Sequence, residues 1–385
     1  MKVKHNISRL KHLLKMYRLS LQEFLPMISE GLKKSISKEE VFSSKIEISY
    51  LKRIDKIFDK GLHYYLDPKA PETSKEASIF FRKNKFTTDD LNIGAVKVVN
   101  QFEELKLSLS AISKLSDLEI KRRFPKYTLT DSPKEIAEEI RKKLYPIFNN
   151  NKRDFLKTLI SKFAEYNILV FEFIETWNKK NKANIDGFFL NPNMIVLKRH
   201  QAFRREIFTL AHELGHYLLQ SEEIERLDYQ SLAHTNLSKL ERWCNDFAYY
   251  FLAGEYSKSI DLLEKASANN DYHFEIIKVI SDNTHLSQIA LFTRLLFQGQ
   301  ISKSSYLNVK NEFDEIFRKI QEEKEHEKQR LKEHGIKQRG AVAKPIHSPL
   351  FVSTIQTAFY EGVLNEYEVC KKLNIKPEKL DKYIQ

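Results

Sequence analysis

A chain of 385 residues, 42% hydrophobic and 30% charged, is long enough to bury more than one core, which points to two or three domains. No apolar run reaches bilayer-spanning length, and Met1-Lys2-Val3-Lys4-His5-Asn6 lacks the apolar centre of a signal peptide, so no membrane partner and a cytoplasmic location are expected. Two cysteines, Cys244 and Cys370, exclude a disulfide framework, and much of the net charge of +12 lies on mixed-sign stretches such as 310–333, the pattern of a solvated face rather than a nucleic-acid surface.

Residues 7–66 read as a bundle of short helices. Ile7, Leu10, Leu13, Leu14 and Tyr17 mark the first, and Leu21, Phe24, Leu25 and Ile28 the second, with Ser20 as the N-cap between them. A third helix starts near Ser37, where Ser37 and Glu40 have capping-box spacing, and a fourth covers 50–60. This order resembles the phage-repressor helix-turn-helix domain, with the helix from Ser37 in the recognition position, and the resemblance implies DNA as a partner. Glu39, Glu40 and Glu47 place negative charge where a reading helix needs neutral or basic side chains. A degenerate domain that docks a protein is the equal alternative.

Between Pro68 and Pro133 lies a connector, with Ser78-Ile79-Phe80-Phe81-Arg82 near its start and a long amphipathic helix around 93–118. Asp131-Ser132-Pro133 then opens a new domain, Ser132 as N-cap and Pro133 at the first helical position. Helices over 133–144 and 153–166 lead to Ile168-Leu169-Val170-Phe171-Glu172-Phe173, a strand run. Strands at 187–190 and 194–197, joined by the turn Asn191-Pro192-Asn193, complete a small antiparallel sheet whose edge can hold an extended peptide.

The stretch Thr209-Leu210-Ala211-His212-Glu213-Leu214-Gly215-His216-Tyr217-Leu218-Leu219 sets an HExxH inside an apolar helical pattern. His212 and His216 stand one turn apart on one face, so two imidazoles can reach one metal ion, with Glu213 on the open side. Catalytic zinc takes three protein ligands and keeps a fourth position for water. Candidates for the third are Glu222, Glu223, Glu225, Asp228, His234, Glu241 and Asp246. Glu241 is favoured because it opens a second amphipathic helix, over 241–252, and Asn245, one turn on, is then placed to hydrogen-bond a ligand imidazole. His234 is the competing ligand or a transition-state helper. Arg204 and Arg205 either pair with carboxylates at the site or form a basic start to the helix.

In these motifs the chain resembles the ImmA/IrrE family of metallopeptidases, which pair HELGH with a downstream E-x-x-A-N-x-F-A helix. The matching residues are His212, Glu213, His216, Glu241, Asn245, Phe247 and Ala248, with Cys244 in the usual alanine position, over roughly 132–256. Gln220 stands where a histidine is frequent, and Gly254 where proline is. The resemblance implies a predominantly helical α+β fold: a zincin-like metallopeptidase core with a small antiparallel sheet, flanked by helical domains. It also implies one zinc ion or another divalent metal per chain, held by His212, His216 and Glu241, and Glu213 as the catalytic base. The expected activity is endopeptidase cleavage of a partner protein, a transcriptional repressor or antitoxin. The contrasting reading is a DNA- or protein-binding regulator whose metal site is structural or inactive.

The expected domains are 1–68, the degenerate helix-turn-helix unit; 69–131, the connector; 132–258, the metallopeptidase; 259–335, a helix-turn-helix-like unit around 284–296; and 336–385, a carboxy-terminal helical segment. Within the last third, 312–332 reads as a charged, solvated helix carrying His326, and 335–349 as a basic loop.

Overall fold

The computed structural model describes every residue except 18, 59, 72–90, 176–181, 200–201, 223–237, 268–272, 335–343 and 385. The chain divides into two compact units: Met1–Leu105 with Lys180–Asn184, and Lys106–Lys179 with Ile185–Gln385. Among the described residues no helix is long and apolar enough to cross a membrane. The segment Ser78 to Arg82 lies outside the described residues.

The first unit runs β1 (Lys2–Lys4), α1 (Ile7–Met16), α2 (Leu21–Ser29), α3 (Lys38–Val41), β2 (Lys45–Glu47), α4 (Ile48–Phe58), α5 (Leu62–Leu66) and the start of α6 (Ile93–Leu115). Asn6 caps α1, and Ser20 with Glu23 and Ser37 with Glu40 close full capping boxes on α2 and α3. Helix α3 is a single turn, four residues long, so a helix of reading length does not form after Ser37. The next element is a strand instead: β2 pairs antiparallel with β1, Lys2 opposite Glu47. Three residues per strand are too few to give a period-two signal, which is why the pair is silent in the sequence. Leu10, Phe24, Val41, Leu51, Ile54 and Tyr65 close the core of this unit.

The second unit holds α7 (Pro133–Leu144), α8 (Lys152–Glu165), β3 (Leu169–Phe173), β4 (Gly187–Leu190), β5 (Met194–Lys198), α9 (Phe203–Leu219) and α10 (Lys239–Ala253). Then come α11 (Tyr256–Asp261), α12 (Phe274–Asn283), α13 (Gln288–Phe297), α14 (Lys303–Glu333), α15 (Pro349–Tyr360), α16 (Glu366–Leu373) and a closing 3-10 turn, Pro377–Lys382. Ser132 caps α7 with Pro133 at its first position, and most of α14 is exposed, His326 included.

The sheet departs from the antiparallel arrangement expected for it. Its order is β3-β5-β4, with β4 antiparallel to β5 but β3 parallel to it, Leu169 opposite Met194 and Phe173 opposite Lys198. Direction alternates from β3 to β4 to β5, so β3 would be antiparallel only beside β4; seated beside β5, it must run the same way. The strands are buried on both faces, which accounts for their continuous apolar runs. The sheet packs against α8 on the β3 side and against α9 on the β4 and β5 side.

Helix α9 is fixed at its carboxyl end by a segment that precedes the whole domain. Arg122 donates to the Tyr217 carbonyl at 2.8 Å and the Leu218 carbonyl at 3.1 Å, and its guanidinium stacks 4.1 Å from the Tyr217 ring centre. A cation at the carboxyl end complements both the orphan carbonyls and the helix dipole. Gln220, in the left-handed region, ends the helix. Arg122→Ala is expected to lower stability by about 1.5–3 kcal/mol, the range for hydrogen bonds from a charged donor, read as a reduced urea midpoint with an unchanged slope.

Candidate metal centre

Each part of the site is placed by a helix whose start and packing are written locally. Ser238 caps α10 and accepts the Glu241 N–H at 3.1 Å, which sets Glu241 in the first turn with its carboxylate facing α9. Gly215 on α9 sets the distance between the helices. A Cβ there would stand 3.1 Å from Cys244 Sγ and 3.2 Å from the Cys244 Cα, so only glycine admits this approach without displacement.

The result is a buried convergence. His212 Nε2 lies 3.1 Å from Glu241 Oε2, His216 Nε2 lies 3.2 Å from Glu241 Oε1, and the two Nε2 atoms are 3.1 Å apart. The donor atoms of His212, His216 and Glu241 all fall within 4.8 Å of one another. None of the three residues is more than 2% exposed. Burial alone would raise the Glu241 carboxyl, but the two imidazoles hold it far below the usual carboxylate range.

Asn245 stands beside His212, its Oδ1 3.0 Å from Nδ1; the tautomer with its proton on Nδ1 satisfies this contact and presents the Nε2 lone pair to the centre. Two imidazole nitrogens that face each other across 3.1 Å, with a carboxylate against both, are stabilised by a proton or a cation between them. The set suits a metal ion such as zinc: neutral nitrogen, neutral nitrogen and carboxylate oxygen on rigid helices. Burial pushes the Cys244 thiol up to about 11; it fills space between the helices as a neutral group.

Glu213 follows His212 on the same helix and is 4% exposed. Its Oε2 accepts no hydrogen bond among the described residues. Burial pushes its carboxyl up to about 7; the imidazoles of His216 and His212 pull it back, and Glu241 and Asp186 add to the rise. A carboxyl in that range can take up and give back a proton near neutrality. Gly187 leaves room for it: a Cβ on that residue of β4 would lie 2.6 Å from Thr209 Cγ2 and 3.4 Å from Glu213 Cγ.

The other candidates for a third ligand separate cleanly where the structure describes them. Glu222 accepts the Asn191 N–H at 2.7 Å and ties down the β4–β5 turn. Asp246 pairs with Arg294 of α13. Glu223, Glu225, Asp228 and His234 lie outside the described residues. Arg205 pairs with Asp186, and Arg204 donates to Ser281 and to the Leu286 carbonyl, so both arginines anchor the first turns of α9. The sequence pattern does not mark Gly187, Gly215 and Cys244 as spacing residues, although a glycine inside a strong helical run is a usable sign at Gly215.

Residues 163–254 match the Peptidase_M78 family model, the IrrE N-terminal-like domain. The chain therefore carries a peptidase-family domain, and the matched stretch runs from the end of α8 to Gly254, enclosing His212, Glu213, His216, Glu241 and Asn245. No curated protein and no solved structure matches the chain.

If Asn245 fixes the His212 tautomer, its loss weakens metal binding without removing a donor. Asn245→Ala is expected to reduce zinc affinity about 10–100-fold, the range for an outer partner of a ligand histidine, measured by competition with a chromophoric chelator, while Asn245→Asp retains most of it.

Proposed function

We propose that the chain is a zinc-dependent endopeptidase with a zincin-like core that hydrolyses a peptide bond in a partner protein. The observation that carries this is the buried convergence of His212, His216 and Glu241 beside Glu213. His212 and His216 would hold the ion through their ring nitrogens and Glu241 through its carboxylate. Zinc in such a site lowers the pKa of water and polarises a carbonyl oxygen.

Glu213 does the proton work: its carboxylate takes a proton from the attacking water and gives it to the leaving amine. The two steps need a carboxyl that is ionised in one half of the cycle and protonated in the other, and burial keeps both forms accessible there. Asn245 keeps the His212 ring oriented, and Arg122 and the Gly215 contact keep α9 rigid against α10. Strand β4 is an edge of the sheet and carries Gly187 beside Glu213, which suits an extended peptide paired along it. The resemblance to ImmA/IrrE peptidases favours a repressor or antitoxin as that partner.

Glu213→Gln is expected to bind zinc as the parent does and to lose cleavage by about 10²–10⁴-fold, whereas His212→Ala and Glu241→Ala lose the metal as well. The assay is incubation with a repressor encoded nearby, with and without a chelator, alongside metal content by mass spectrometry. Cleavage that survives in the Glu213 variant overturns the assignment; salt-sensitive operator binding untouched by that change, with no cleavage, supports a regulator instead.

A further inference from the structure

A second buried cluster lies on the opposite flank of the sheet. Glu172 of β3 and Glu206 of the first turn of α9 are both buried, and both carboxyl groups face Arg153 Nη1, Glu172 Oε1 at 2.6 Å and Glu206 Oε1 at 4.0 Å. Arg153 of α8 grips Glu172 with two bonds, Nη1 to Oε1 at 2.6 Å and Nη2 to Oε2 at 3.1 Å. Arg199, just after β5, donates to Glu206 Oε2 at 3.1 Å. Glu206 Oε1 accepts no hydrogen bond among the described residues, and Arg153 Nη1 stands 4.0 Å from it. Two carboxyl groups buried this close disfavour each other's charge, which favours a proton on one of them. The ring of Phe203 covers both arginines, 4.1 Å from the Arg199 guanidinium and 5.5 Å from that of Arg153.

The same groups hold a distant part of the chain. Arg153 Nη2 also donates to the Lys344 carbonyl at 2.8 Å, and the Ile346 N–H donates to Glu172 Oε2. Residues 344–348 thus cross the cluster before α15 begins, and Phe351 of α15 packs its ring edge-on to Phe171 of β3, 5.1 Å between centres. Strand β3 is the second edge of the sheet. The ionisable groups facing the carboxyl pair, among the described residues, are Arg153 from α8, Arg199 after β5, and His347 from the crossing segment.

We propose that one proton shared between Glu172 and Glu206 latches residues 344–348, and with them the carboxy-terminal helices, onto the β3 edge, and that loss of this proton releases them. Arg153 is the moving part. While Glu206 is neutral, Arg153 serves Glu172 and the Lys344 carbonyl; once Glu206 is charged, it draws Arg153 away from both, and two adjacent buried carboxylates repel.

Burial and the neighbouring Glu172 charge push the Glu206 carboxyl up to about 9, far above its value in an unfolded chain. The latch is therefore at full strength only below the ordinary carboxyl range, weakens steadily through neutrality, and is lost as pH rises through the folded value. Release of one proton on opening makes protection of the segment fall about tenfold per pH unit in that window.

Hydrogen exchange of the full chain from pH 6 to 10, corrected for intrinsic rates, tests this. Peptides covering 344–351 should lose protection on this slope, while those covering β5 stay protected. Glu206→Gln, which is neutral and still donates to Glu172, should hold the segment across the range. Arg153→Met should leave it open at every pH, with β5 again the check on folding. A segment that keeps pace with β5 at all pH values in the parent chain, or a Glu206→Gln profile that follows the parent, overturns the proposal; the first of these needs no variant to fold.

Discussion

The contact between α9 and α10 at Gly215 and Cys244 is the constraint on which the candidate centre depends. A carboxylate reaches both imidazoles only if the two helix backbones approach more closely than ordinary side chains permit. The space that a Cβ would need at 215 is already taken by Cys244, Sγ and Cα alike. Everything that fixes α9 and α10 individually then acts on the site: Arg122 at one helix end, Ser238 at the start of the other, and Arg141 on the Phe251 and Leu252 carbonyls where α10 stops. A site held between two rigid elements keeps its geometry better than one carried on loops, and here all three donors and the neighbouring carboxyl are on helices.

Burial explains why the centre is suited to a cation. A carboxylate and two imidazoles removed from water lose solvation that their mutual contacts only partly replace. The imidazole proton that Asn245 fixes on Nδ1 leaves His212 Nε2 as an acceptor facing another ring nitrogen and an anion. A cation resolves all three deficits at once, and a bound proton resolves fewer. Ligand geometry and desolvation thus point to the same chemistry, and metal binding to such a site contributes directly to folding stability.

How much of this is legible in the sequence depends on range. Helix starts are local, and Ser20, Ser37, Ser132 and Ser238 each accept a backbone N–H of the helix that they cap. The HExxH spacing is local too, since one helical turn brings His212 and His216 to one face. The choice of Glu241 rests on a helix pattern with a pairing motif, and the structure brings that carboxylate to the two histidines. Pairing is not local. The parallel register of β3 on β5, the β1–β2 ribbon and the one-turn length of α3 depend on which segments meet, and no residue near those strands encodes it in a period.

The same limit explains why the Glu172–Glu206 pair has no sequence signature. Glu172 interrupts an apolar strand run and Glu206 sits in a charged helix start beside Arg204 and Arg205, each readable as an ordinary surface glutamate until the fold buries them together. Buried like charges are costly enough that they persist only where cations and a shared proton compensate, and Arg153 and Arg199 are drawn from two further elements to do so. The peptidase-family domain therefore has ionisable groups at both flanks of its sheet, in opposite electrostatic conditions. Near β4, an anion and two imidazoles are arranged to receive a cation. Near β3, two carboxyl groups are held by cations already present, and a proton is the variable. Because Glu206 and His212 lie on the same helix, α9 is the element on which both arrangements bear.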